Sequence, residues 1–350
     1  MGDRSQSGAP ILPAGGERLA CRNVGENGSK TIGVDLGGTK MLVGVLDGTD
    51  VAWQRREAST GQTEEELVEL LIREINLARE AHPEVAAVGL GIPATIDYEL
   101  GIAVSAVNLP LADLAIRDRI EAEVELPVFV DNDGNVAALA EFMFGAAVGM
   151  PHTVMLTVGT GIGGGLILNG EVYRGSTGAG AELGHVVIQA DGPPCQGNCP
   201  NHGCVESLAS GTALGREGKA AAESSPDSAL GQLLAEGRTV DGTAVTDAAL
   251  AGDELAVSVF DLIGSRLGVA CASLANIFQP NAIVVGGGVI RAGDLLLDPA
   301  RREVRERALK PMNETPVLAA TLGNDAGMIG AAALARVELG RRAPAARRES

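Results

Sequence analysis

The stretch Leu126 to Glu141, LPVFVDNDGNVAALAE, constrains the fold more than any other. Pro127 to Val130 has the short, unbroken apolar run of a buried strand, and a helix follows at once. Asn132 or Asp133 stands where an N-cap stands, because a short polar side chain can accept from the free N–H groups of a first turn. Val136, Leu139, Ala140 and Met143 then fall at helical spacing and predict one apolar face. Asp131, Asn132 and Asp133 are thereby held at the carboxyl end of a strand, where open α/β sheets place ligands. A plain helix cap would use the same residues.

Two glycine turns of similar design lie on either side of this junction. Lys30 to Glu57 reads as three antiparallel strands joined at Gly37-Gly38 and Asp47-Gly48. The first turn, DLGGTK, offers bare backbone at Gly37 and Gly38, a hydroxyl at Thr39, a cation at Lys40 and a carboxylate at Asp35. Backbone N–H groups in such a turn can form a nest for phosphate oxygens, and the carboxylate could orient hydrated Mg²⁺. An ordinary hairpin is the alternative. Thr153 to Arg174 repeats the pattern: strand, Gly159-Thr160-Gly161, strand, Asn169-Gly170, short strand. Two lobes that each open on a three-stranded meander suggest a duplication. Gly161, Gly163 and Gly164 are superficially like a dinucleotide fingerprint, but a strand follows them and not a helix. If both turns bind phosphate, they clamp a nucleotide from two sides of a cleft.

The other elements fit an α/β chain. Thr63 to Ala81 is expected to be an amphipathic helix stopped by Pro83, and Val85 to Ile92 a buried strand. A helix is expected over about Asp113 to Glu123, after a loop that holds Asn108. Gly211 to Ala251 reads as helical pieces with breaks at Ser224 to Asp227 and near Gly237. Asp253 to Phe278 reads as one long helix. Asn281 to Val285 is a buried strand that runs into Gly286-Gly287-Gly288, where a flat ligand such as adenosine could lie on bare backbone. Val317 to Ala320 is a strand, and Gly323 to Val337 an Ala-rich helix. Residues 1–29 and the last ten are rich in Gly, Pro, Ser and charge and are expected to be tails.

After the second meander, His185, Cys195, Cys199 and Cys204 supply one imidazole and three thiols, a donor set suited to a closed, structural zinc site. His202 is a rival ligand in the same loop. Cys21 and Cys271 stand apart from that cluster, which is poor disulfide arithmetic and suits a reducing compartment. The net charge of −18, from 45 acidic and 27 basic side chains, repels nucleic-acid phosphates and argues against non-specific DNA binding. No window of 18 apolar residues is evident, so no membrane span is expected; nor is there the apolar core of a signal peptide.

Taken together, DLGGTK, VDNDGNVAALAE, TVGTGIGGG, ELGH, the Cys loop ending in GCVE, VVGGG and GNDAGMIGAA resemble the ROK family of sugar kinases, in the same order and over about Thr31 to Val337. The resemblance implies a two-lobed α/β fold, actin-like and ribonuclease-H-like, around a central cleft. Its expected division is residues 31–132 for the first lobe, joined by a C-terminal helix over 326–340, and residues 133–325 for the second, with tails at 1–30 and 341–350. It implies ATP and Mg²⁺ in the cleft, Asp133 as the catalytic base, and Asn108, Asn132, Glu182, His185 and Glu206 toward the sugar. Asp35 to Lys40, Gly159, Thr160, Gly161, Gly287 and Gly288 would then lie toward the nucleotide. His185, Cys195, Cys199 and Cys204 would hold zinc, with a two-residue insertion between the first two cysteines. A cytoplasmic homodimer or homotetramer is expected. Ala94 and the lack of an aromatic after Asn108-Leu109 depart from the family pattern on the sugar side.

Glucose phosphorylated at O6 is the leading expectation. N-acetylmannosamine, N-acetylglucosamine and fructose are alternative sugars, and polyphosphate is an alternative donor. ROK repressors share the sugar-binding body without the activity. Against that reading stand the charge and the short segment ahead of the first strand, too short for a helix-turn-helix domain.

Overall fold

A computed structural model describes residues 29–346. The expected tails over 1–28 and 347–350 lie outside the described residues, as does Cys21. The chain begins with β1 (Thr31–Leu36), β2 (Lys40–Asp47) and β3 (Asp50–Ala58), the meander expected from the turn residues. Next comes α1 (Glu64–Ala81). Thr63 and Glu66 form a reciprocal capping box at its start, the Thr63 hydroxyl taking the Glu66 N–H. Then follow β4 (Ala87–Ile92), β5 (Ala94–Asp97), β6 (Ile102–Ala106), β7 (Ala112–Leu114), α2 (Ile116–Val124) and β8 (Val128–Asn132). The first sheet has the order β3-β2-β1-β4-β8, antiparallel through the meander and parallel from β1 onward.

From β8 the chain enters α3 (Asp133–Phe144) and then the second lobe, β9 (Thr153–Val158), β10 (Ile162–Leu168) and β11 (Glu171–Val172). After the cysteine loop come α4 (Val205–Ala209), α5 (Gly211–Ser224), α6 (Ala229–Ala235), α7 (Gly242–Leu250) and α8 (Glu254–Phe278). Then follow β12 (Ala282–Gly286), α9 (Asp294–Arg307), β13 (Val317–Ala319) and α10 (Ala326–Ala346). The second sheet, β11-β10-β9-β12-β13, repeats the first in order and strand sense. The shared topology is what the paired glycine meanders predict. Each lobe has its own apolar core, and a third cluster joins α3 and α10 to β9 and β12.

Several expectations need correction. α3 is not one-faced: every residue from Gly134 to Phe142 is buried, because the helix is wedged against the second sheet and α10. The helix expected from Asp113 begins at Ile116; Asp113 has φ 51 and belongs to β7. β5, β6 and β7 form a small antiparallel sheet that the apolar pattern does not announce, since β6 and β7 are largely solvent-facing. α9 is not among the helices expected from the sequence. α10 runs to Ala346, beyond residue 340. By length and composition, α8 is apolar enough to cross a membrane, contrary to expectation. Its apolar face, from Ala256 to Ala275, is instead buried in the second lobe's core.

α10 returns from the second sheet to the first lobe. Its backbone lies so close to β1 and β4 that a Cβ on Gly33 or Gly89 would overlap the carbonyls of Met328 and Ala331. The buried Thr31 hydroxyl donates to Ala332 O at 2.8 Å.

Candidate active site

The junction of β8 and α3 places the central carboxylates. Asn132 is the N-cap: its Oδ1 accepts the Gly134 N–H at 2.8 Å, and its amide donates to Ala94 O at 3.2 Å. Asp133 is therefore the first helical residue, half-buried, with Oδ1 2.9 Å from the same Gly134 N. Burial pushes its carboxyl above the ordinary range, while the N–H bonds at the helix start pull it down. α3 can sit this close to β10 only because position 134 lacks a side chain; a Cβ there would overlap Gly164 O.

Asp133 acts on carboxylates of both lobes. Asp35, at the end of β1, is pushed up to about 6, first by burial, then by the charge of Asp133, with Lys40 pulling it down. Glu182, in the loop after β11, is also raised, by burial first; Asp133 and Glu206 add to this and His185 opposes it. The first glycine turn closes with Gly37 N donating to Lys40 O at 2.9 Å, which leaves Thr39 and Lys40 exposed. Asn108 is exposed beside the same turn, where a Cβ on Gly38 would come within 3.1 Å of its own Cβ. Asp35, Asn132, Asp133 and Glu182 thus gather around one junction, with Asn108 beside the turn that Asp35 opens.

The second glycine turn is built into a different neighbourhood. Gly159 N donates to Gly161 O at 2.9 Å, and Gly211 N at the head of α5 donates to Gly159 O at 2.7 Å. The Thr212 hydroxyl donates to Thr160 O at 2.8 Å. Gly287, with φ 87, packs against the Val158 backbone beside this turn, and both Gly287 and Gly288 are exposed. A Cβ on Gly159 or Gly288 would meet no atom within 4 Å. Bare backbone open to solvent is what a flat or phosphorylated ligand needs for close approach. Gly288 begins a short 3₁₀ turn to Ala292.

Glu206, in the first turn of α4, links the glycine turn to the cysteine loop. Its Oε2 accepts the Ile162 N–H at 2.8 Å, and Cys195 Sγ lies 3.7 Å from Oε1. A Cβ on Gly161 would overlap this carboxylate, so the position must be glycine for Glu206 to sit there.

The donor atoms of His185, Cys195, Cys199 and Cys204 all lie within 4.8 Å of one another. Cys195 Sγ is 3.5 Å from His185 Nδ1, and Cys199 Sγ is 3.9 Å from Cys204 Sγ. A tetrahedral zinc with ordinary Zn–S and Zn–N bonds has ligand–ligand edges of about 3.5 to 3.8 Å. The set fits such an ion. His202 is exposed, with Nδ1 3.3 Å from Gly192 O, and is not in the cluster. The His185 nitrogen on the cysteine side is Nδ1; a metal bound there would leave Nε2 for another partner.

Three contributors had no sequence expectation: Thr212, Gln196, whose amide donates to Ser210 Oγ at 3.0 Å, and Arg174, described below. None belongs to a periodic pattern; a hydroxyl just after an N-cap is the one weak signal, at Thr212.

Residues 31–338 match the profile of the ROK family. A glucokinase from Streptomyces coelicolor is 38% identical over 87% of this chain and 97% of its own length. The crystal structure of a ROK family glucokinase from Streptomyces griseus, in complex with glucose and AMPPNP, superposes with a TM-score of 0.78 at 38% identity, covering 88% of this chain and 99% of that one. A putative xylose repressor from a Caldicellulosiruptor species is 32% identical over 84% of this chain and 74% of its own length.

Proposed function

The chain belongs to the ROK family, and on that premise we propose that it is a hexose kinase that transfers the γ-phosphoryl group of ATP to the 6-hydroxyl of D-glucose. The observation that carries the reading is the position of Asp133, a half-buried carboxylate whose charge reaches Asp35 in one lobe and Glu182 in the other. Glucose hydroxyls are each donor and acceptor, and Glu182, Glu206, Asn132, Asn108 and His185 Nε2 supply complementary partners. ATP would lie on Gly159 to Gly161 and Gly287-Gly288, with its terminal phosphates toward Asp35 to Lys40.

Asp133 accepts the proton of O6 as that oxygen attacks the γ-phosphorus; the bond to the bridging oxygen breaks and ADP leaves. Such a transfer depends mainly on positioning and charge stabilisation, so one carboxylate within hydrogen-bond reach suffices as base. Asp35 fits a divalent cation: it is desolvated and repelled by Asp133, and a bound charge would relieve both effects. When bound, Mg²⁺ would neutralise charge on the transferring phosphate. Zinc on His185, Cys195, Cys199 and Cys204 would fix the imidazole against the sugar.

A coupled assay over glucose, fructose, N-acetylglucosamine and N-acetylmannosamine, with ATP and polyphosphate as donors, tests the assignment. Glucose with ATP should give the highest kcat/KM; a higher value for another pair reassigns the substrate. No turnover with any pair, together with specific operator binding at physiological salt, would favour a regulator. The free thiols of Cys195, Cys199, Cys204 and Cys271 fit a reducing, cytoplasmic setting. A homodimer or homotetramer, expected from the family, is read by sedimentation.

A further inference from the structure

Among the described residues the chain passes between the lobes twice. It crosses once through α3, from β8 to β9, and again through residues 320–325, from β13 to α10. One side chain ties the two passages together. Glu141, further along α3 from Asp133, is fully buried. Its Oε1 accepts the backbone N–H groups of Thr321 at 3.0 Å and Leu322 at 2.9 Å. Its Oε2 accepts the Ala146 N–H at 2.7 Å and the Thr321 hydroxyl at 3.2 Å. A buried carboxylate is costly unless its lone pairs are filled, and here four donors fill them, none of them charged. A Cβ on Gly145 would overlap Oε2, so the pocket is shaped around the carboxylate.

A residue that only finished the helix would need the Ala146 N–H alone. Glu141 also holds a segment 180 residues away. That segment leads into the first turn of α10, where a Cβ on Gly327 would lie 2.5 Å from the Asp35 carboxylate carbon. One side of Glu141 is therefore the helix that carries Asp133, and the other is the approach to the helix end that backs Asp35.

We propose that Glu141 is a positioning residue that locks the two inter-lobe passages together and so sets Asp133 in register with Asp35. The catalytic part of this proposal rests on the kinase reading above; the lock itself does not. Glu141→Gln keeps the shape but turns an NH₂ group toward donors. Hydrogen–deuterium exchange on the full chain should show the Thr321, Leu322 and Ala146 amides exchanging about tenfold faster or more, with cooperative melting retained. In the same variant kcat should fall about 10- to 100-fold, as misplacement of reacting groups does, with both KM values within about twofold of the parent. Unchanged exchange at these amides overturns the lock. Faster exchange with unchanged kcat, or a change confined to KM, overturns the positioning role. Should Glu141→Gln fail to fold, Thr321→Val removes one of the four bonds and should show the same pattern at about threefold in both readouts. A parent chain without hexose kinase activity would sink the functional reading and leave the exchange result to decide the lock alone.

Discussion

The Arg174 guanidinium in the second lobe donates from Nε to Asp131 Oδ2 in the first at 2.7 Å, while lying 3.8 Å over the Tyr98 ring. Asp131 is 1% exposed, and its other oxygen accepts from Asn132 N and Asn135 Nδ2, both at 2.8 Å. The pair thus braces the turn that presents Asp133. Removing one partner of a buried pair leaves the other charge uncompensated. Arg174→Ala should destabilise the protein by about 3 kcal/mol, measured by urea denaturation. Adding Asp131→Asn should recover part of that loss, since the double variant has no unpaired charge. Full additivity of the two substitutions would show that the pair is not coupled.

The β8–α3 junction was legible in the sequence because an apolar strand, a capping residue and a helical run are local patterns. From the residues alone Asn132 and Asp133 are alternative caps; the geometry gives the cap to Asn132 and makes Asp133 the first helical residue, with one carboxylate oxygen on the Gly134 N–H. The glycine meanders were legible for the same reason, since turn chemistry is short-range. Arg174–Asp131 and Glu141–Thr321 were not, because a contact between distant segments leaves no periodicity. The full burial of α3 was missed because an amphipathic pattern reports one neighbour, whereas this helix has two. The small β5–β7 sheet escaped because solvent-facing strands carry little apolar alternation.

On the kinase reading, Asp35 and Asp133 should set the acid side of the pH profile. Asp35 is held at about 6 and must be ionised to take a cation, so kcat/KM should fall as the pH drops through about 6. The raised carboxyl of Asp133 adds to the same limb, which belongs to the pair and not to either residue. Lys40 lowers the Asp35 value, so Lys40→Met should move the limb to higher pH. A limb that stays in place, or moves down, would separate Asp35 from the activity.

One zinc per chain is expected on the four-ligand cluster, counted by colorimetric release after denaturation. Cys199→Ser should lose the metal on dialysis against a chelator, and His202→Ala should retain it. Because Glu206 touches Cys195 and His185 shares the cluster, metal loss should raise the glucose KM about tenfold and the ATP KM much less. Metal-free protein with an unchanged glucose KM would make the site purely structural.

The most direct test is Asp133→Asn, which keeps the size of the side chain and the Gly134 N–H bond but removes the base. Glucose binding by calorimetry should stay within about threefold of the parent, while kcat in the coupled assay falls by about 10³ or more. Substantial residual turnover with intact glucose binding would contradict the assignment of Asp133 as the group that takes the hydroxyl proton.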